Sequence, residues 1–181
     1  LQEIKIGATS FLDYVMSTPR GCTKIVKAQR SMYNDPDNQG FFAYESIKTA
    51  MKRAVNATDP AEVLAVATAK ATPLMAPHYA AIAHGFLAWL AKNRGTGVRA
   101  TDAAWTSGNL TVTFRHVIGL QPSKGQKLAV LAYVKEPVLT QDSADLLLRM
   151  MELQIQMANM LPGAVPAVLD SRRAKHFKLR A

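Results

Sequence analysis

A chain of 181 residues has room for one ordinary domain or for two small lobes sharing a core. Hydrophobic residues make up 49% and charged residues 19%, which supplies a sizeable core and excludes a largely disordered chain. The 22 Lys and Arg outnumber the 13 Asp and Glu for a formal charge of +9, and the single cysteine, Cys22, excludes an internal disulfide.

The first half reads as helical. Ser10 is positioned to cap a short helix carrying Phe11, Leu12 and Val15, which stops before Pro19 and Gly21. A second helix is predicted over 22–33, ending at Asn34-Asp35-Pro36. A third covers 41–56, where Tyr44, Ile47, Met51 and Val55 recur at helical spacing opposite Glu45, Lys48 and Lys52. Asp59-Pro60 then supplies an N-cap followed by proline at the first helical position, and this helix runs to Pro73. The next helix starts near Pro77 and ends at Lys92-Asn93-Arg94-Gly95, with basic residues in the last turn and glycine beyond it. Between residues 61 and 91, eleven positions are Ala and the only charges are Glu62 and Lys70, so this helix pair belongs in a core.

After Gly97 the period changes to two. Leu110, Val112, Phe114 and Ile118 alternate with Thr111, Thr113 and Arg115, and turn clusters stand at 107–109 and 122–125. Residues 127–134 are apolar on both faces, as a buried strand requires. The simplest arrangement is an antiparallel meander of three strands, about 101–106, 109–118 and 126–134. Thr140 can cap a helix over 142–161 that carries Asp142 and Asp145 in its first turn and Leu146, Met150, Leu153, Met157 and Met160 along one face. The expected fold is therefore α+β: a helical N-terminal lobe over 1–97, packed on a small three-stranded antiparallel sheet with a long C-terminal helix over 98–181.

Few motifs carry chemistry. Gly95-Thr96-Gly97-Val98-Arg99-Ala100 fits the dinucleotide-binding glycine string, but that site needs a strand before it and a helix after it, and here the order is helix then strand. No cofactor is expected. Asp35-Pro36-Asp37-Asn38-Gln39-Gly40 resembles half a calcium loop, yet the twelfth position is Ser46 rather than a bidentate carboxylate. His78 and His84 lie six apart, the wrong spacing for a metal pair on one helix face. His116 has the inward parity of Phe114 and Ile118, the place of a hydrogen-bonded core histidine. No metal site is expected.

Charge is the remaining lead. Residues 61–135 hold eight basic against two acidic side chains, and the last eleven residues hold Arg172, Arg173, Lys175, Lys178 and Arg180 with no acid. The sheet region offers Arg99, Arg115, Lys124 and Lys127 near aromatic residues, a combination that can hold a nucleic-acid strand. Three helices followed by a hairpin also suggest a winged helix. However, the helix in the recognition position, 77–94, is nearly devoid of polar side chains before its last turn.

The expected function is non-enzymatic binding of an anionic partner, nucleic acid or another polyanion, through Arg99, Arg115, Lys124, Lys127, Arg172, Arg173, Lys175 and Lys178. A second class is an enzyme acting on an anionic small molecule, with Cys22, His78, His84 or Glu45 in a pocket edged by Lys24, Lys27 and Arg30. A third is a structural module that forms a homodimer through Met150, Met157 and Met160. No stretch is long and apolar enough to span a bilayer. The first five residues also lack the layout of a secretory signal, so a cytoplasmic protein without membrane association is expected.

Overall fold

The computed structural model describes residues 4–34 and 43–180. Among them the chain is α+β, with six helices and eight strands. It opens with β1 (Ile4–Gly7) and passes through α1 (Ala8–Val15), α2 (Pro19–Asn34), α3 (Glu45–Ala54), α4 (Pro60–Ala69) and α5 (Ala76–Lys92). Strands β2 (Gly95–Val98), β3 (Ala103–Ser107), β4 (Leu110–Phe114), β5 (Ile118–Pro122) and β6 (Leu128–Tyr133) follow. After them come α6 (Gln141–Met157), β7 (Val165–Asp170) and β8 (Lys175–Phe177). No helix among the described residues is long and apolar enough to cross a membrane.

The expected three-stranded antiparallel sheet with a long C-terminal helix is overturned. The strands form two mixed sheets, β1-β4-β3 and β2-β5-β6-β7-β8, each containing one parallel pair. Helix α6 is the crossover that the parallel pair β6 and β7 requires, and two strands come after it. The single strand expected over 109–118 is in fact two. His116 stands between them with φ of 56°, a left-handed conformation that takes the chain from one sheet into the other.

The five-stranded sheet is the middle layer of the molecule. On one face of β6, Ala129, Leu131 and Tyr133 join a core with Leu12 of α1, Leu147 and Met151 of α6, and Val112 and Phe114 of β4. On the other face, Leu128, Val130 and Ala132 meet Ile47 and Met51 of α3, Leu64 of α4, and Ile82, Phe86 and Trp89 of α5. The two-sided apolar run in the sequence is thus the central strand. A side chain as large as Phe86 or Trp89, almost wholly removed from water, contributes roughly 2–3 kcal/mol. Local signals fix the helix starts: Asp59 accepts hydrogen bonds from the amides of Ala61 and Glu62, and Thr140 accepts one from Ser143. Such caps are each worth about 1 kcal/mol.

Helix α5 is also tied to the sheet edge by a polar contact. The Trp89 indole donates to Nδ1 of His176 on β8 at 3.0 Å, so this nitrogen must be unprotonated. Burial, aided by the Lys178 charge, pushes the His176 pKa below its ordinary 6.5. The folded protein therefore prefers neutral His176, and the unfolded chain takes up its proton first as pH falls. The stabilisation is complete above pH 6.5 and is lost as pH falls from there through the lower folded-state value. Melting curves at pH 7.5 and pH 5 should show a smaller acid-induced loss in His176→Gln than in the parent. An equal loss would remove His176 as a source of the pH dependence.

Candidate functional site

At one end of the five-stranded sheet, β2 begins, β5 ends, β6 begins and β8 ends, since Gly95 pairs with Pro122 and Leu128 with Val165. A cleft of about 600 Å³ opens there, with Lys92, Arg94, Lys124 and Lys178 among its lining residues and no Asp or Glu. None of these four cations makes an ion pair among the described residues. Their placement follows from local structure. Lys92 sits in the last turn of α5, where the helix dipole favours a cation. Arg94 lies just past Asn93, whose side chain closes the helix by donating to the Trp89 carbonyl at 2.8 Å. The Arg94 carbonyl in turn accepts from the Ser123 amide at 3.0 Å, which holds the β5–β6 turn and Lys124 against the helix end. Gly125, with φ of 96°, provides the left-handed step this turn needs.

A larger hollow, about 760 Å³, lies between α3, α4 and α5. Arg53 and Lys70 line it together with Glu45 and Glu62, so it has no preference for either sign of charge.

At the opposite end of β6, a seam of charged residues joins α1, α3 and the β4–β5 turn. Asp13 pairs with Lys135 just beyond β6, and Glu45 pairs with His116 and, at 3.7 Å, with Arg115. Lys48 donates to the Thr9 hydroxyl at 3.5 Å. Burial lowers the Lys48 pKa; Glu45 opposes this, and Lys135 and Arg115 add to it. The Tyr133 hydroxyl is buried with no hydrogen-bond partner among the described residues. Burial, and next Asp13 and Asp170, push its pKa up to about 12.

The basic residues singled out in the sequence have separate fates. Lys124 and Lys178 meet in the cleft. Lys127 is turned to the Pro162 carbonyl, and Arg115 belongs to the seam at the other end of the sheet. Arg99 is exposed beyond β2, and Lys175 is exposed with its ammonium 4.7 Å from the Phe177 ring centroid. Arg172 donates to the Val134 carbonyl and to His78, and Arg173 donates to Asp170 and to the Glu136 carbonyl. These two arginines fasten the β6–α6 connection. Arg180 pairs with Asp142 and Asp145. The sequence carries no signal that Lys92 and Arg94 line this cleft, because their position at a helix end accounts for them without a ligand.

The other candidates engage different partners. The Cys22 thiol faces the Tyr14 carbonyl at 3.4 Å, His84 is exposed, and His78 Nδ1 lies between Arg172 and Glu136. Lys24 and Lys27 are exposed on α2, while the Arg30 side chain and the acidic string 35–40 lie outside the described residues. Met150 and Met160 are buried in the core and Met157 is 78% exposed, so the three do not form one surface. The Gly95–Ala100 string forms β2 after a helix, the reverse of a dinucleotide site. Among the described residues no cluster of three or more His, Cys, Asp or Glu side chains could hold a metal ion.

Comparison with family models, curated proteins and solved structures finds no match.

Proposed function

We propose that this protein binds an anionic partner, a nucleic-acid strand or a similar polyanion, in the cleft between the end of α5, the β5–β6 turn and the residue after β8. The observation that carries this reading is the convergence of Lys92, Arg94, Lys124 and Lys178 without a carboxylate among the lining residues. Four cations that make no ion pair among the described residues repel one another when held together, and an approaching polyanion relieves that repulsion while releasing its own counterions. The cleft offers charge and little apolar or aromatic surface for reading bases. Binding through phosphates, with little sequence preference, is the expected mode.

Salt dependence tests it. With three or four phosphates neutralised, log K against log salt concentration should fall with a slope of roughly −2 to −4 on single- or double-stranded oligonucleotides. Reversing Lys124 and Lys178 together to Glu should weaken binding by about a hundredfold at low salt and flatten the slope by about 2. Lys175→Glu, outside the cleft, should change little. No binding at low salt, or binding indifferent to the double reversal, overturns the proposal.

A further inference from the structure

We propose that the start of α6 is a clasp that positions Lys178 in the cleft, an assignment that rests on the cleft being the binding site. Gln141, Asp142 and Asp145 are then positioning residues: they support polyanion binding without touching the polyanion.

The need for a clasp is local. Strand β8 pairs with β7 only from Lys175 to Phe177, so Lys178 lies beyond the last backbone pairing of the sheet. Backbone past the end of a ladder frays unless something ties it down. A frayed lysine must be ordered at the moment of binding, and that entropy cost weakens the affinity.

Three contacts hold the segment. Nε2 of Gln141 donates to the Lys178 carbonyl at 2.8 Å. The same amide nitrogen has a second proton and donates it to Asp145 at 2.6 Å, which fixes its orientation. Two residues past Lys178, Arg180 pairs with Asp142 and, at 3.3 Å, with Asp145. Leu179, between the two gripped residues, packs against the core that contains Leu147 and Met151 of α6.

That packing gives Lys178 its direction. Phe177 and Leu179 both join the α6 core, and in extended backbone the residue between two such neighbours faces the other way. Lys178 accordingly meets Lys92 and Arg94 at the end of α5, on the opposite face of the sheet, where it lines the cleft. The clasp grips it by the carbonyl and leaves its ammonium without an ion pair among the described residues. Arg180 and Asp142 are largely exposed, so their pairing adds little to global stability. Its effect is on where one cation stands.

Charge alone and the clasp predict opposite signs for one variant. Asp142→Asn with Asp145→Asn removes two negative charges, and long-range attraction by itself would tighten polyanion binding. Loss of the clasp should instead weaken binding about fivefold at low salt and flatten log K against log salt concentration by about 1. Gln141→Leu, which releases the Lys178 carbonyl without altering any charge, should shift binding in the same direction.

The experiment is titration of the full chain with a double-stranded oligonucleotide over a range of salt concentrations. Lys178→Met alone should also weaken binding about fivefold. Added to the double Asn variant it should change little further, a coupling that general destabilisation does not produce. Glu152→Gln, which removes a carboxylate elsewhere on α6, should not weaken binding. Suppose the double Asn variant binds as tightly as the parent, or more tightly, while Lys124→Glu still weakens binding. That result overturns the clasp and leaves the cleft standing as the binding site. So does a Lys178→Met effect that keeps its full size in the double Asn background. A parent protein that binds no oligonucleotide at low salt overturns the cleft and the clasp together.

Discussion

Gly85→Ala is expected to lower Tm by roughly 6–12 °C, the loss that about 3 kcal/mol produces in a domain of this size. Helix propensity alone predicts the opposite sign, because alanine in a helix interior is favoured over glycine by about 1 kcal/mol. The reversal comes from how closely α5 crosses the β7–β8 turn. A methyl group at position 85 would overlap the carbonyl oxygen of Ser171 and stand 2.8 Å from the carbonyl carbon and oxygen of Arg172. Both neighbours are main chain, so no rotamer change makes room. Ser171 is itself immobilised, fully buried and donating its amide to the Tyr133 carbonyl at 2.9 Å. The helix must move, and moving it strains the Trp89–His176 contact one turn further on. Thermal melting of Gly85→Ala beside Gly108→Ala checks the argument. Gly108 has φ of 58° but nothing within 4 Å of its missing Cβ, so the second variant reports backbone strain without a clash. A Gly85→Ala protein as stable as the parent would show that α5 does not approach this closely.

Gly85 also marks a limit on what the sequence reveals. Within an alanine-rich helix it reads as one more small residue, and only the path of the distant β7–β8 turn makes it indispensable. The readable features were local ones. Asp59-Pro60 and Thr140 announced helix starts because a cap is a short-range hydrogen bond. The apolar run ending at Tyr133 announced the central strand because both its faces are covered. The short β2 was concealed because its glycines resemble a turn. In the sheet, a side chain at Gly95 would strike the Gln121 carbonyl, and one at Gly97 would stand 2.7 Å from the Asn56 amide. The β4–β5 break was concealed because the apolar alternation runs straight through His116, and a single left-handed residue leaves no periodic trace. The sequence leaves the conformation of the basic segment 172–180 open between strand, helix and free tail. In the fold, Arg173 pairs with Asp170 and Arg180 with Asp142 and Asp145, and Arg172 donates to His78; the Arg180 and Arg172 contacts join elements far apart in the chain.

The placement of Arg172 and Arg173 bears on the candidate site. Both donate to the β6–α6 connection, whereas Lys92, Arg94, Lys124 and Lys178, which make no ion pair among the described residues, line the cleft at the other end of the sheet. A count of charges along the chain cannot register this, because pairing is decided by tertiary contacts.

The residue that anchors the β6–α6 connection is Asp170, and Asp170→Ala is expected to destabilise the protein by about 3 kcal/mol. Its carboxylate is 1% exposed and accepts from the Leu139 amide at 3.3 Å and from Arg173 at 3.0 and 3.2 Å. Truncation leaves the amide of a buried residue without an acceptor and opens a hole beside Leu139. The ion-pair part of the loss is smaller, because Arg173 is 37% exposed and solvent screens its charge. Arg173→Ala should accordingly cost only about 1 kcal/mol, and Asp170→Asn, which keeps an acceptor in place, should fall between the two alanine variants. The distinguishing measurement is amide hydrogen exchange at Leu139 combined with urea unfolding. Asp170→Ala should lose protection at Leu139 in addition to global stability, whereas Arg173→Ala should largely retain it. Equal losses in both variants would mean that the exposed charge, rather than the buried acceptor, holds this connection in place.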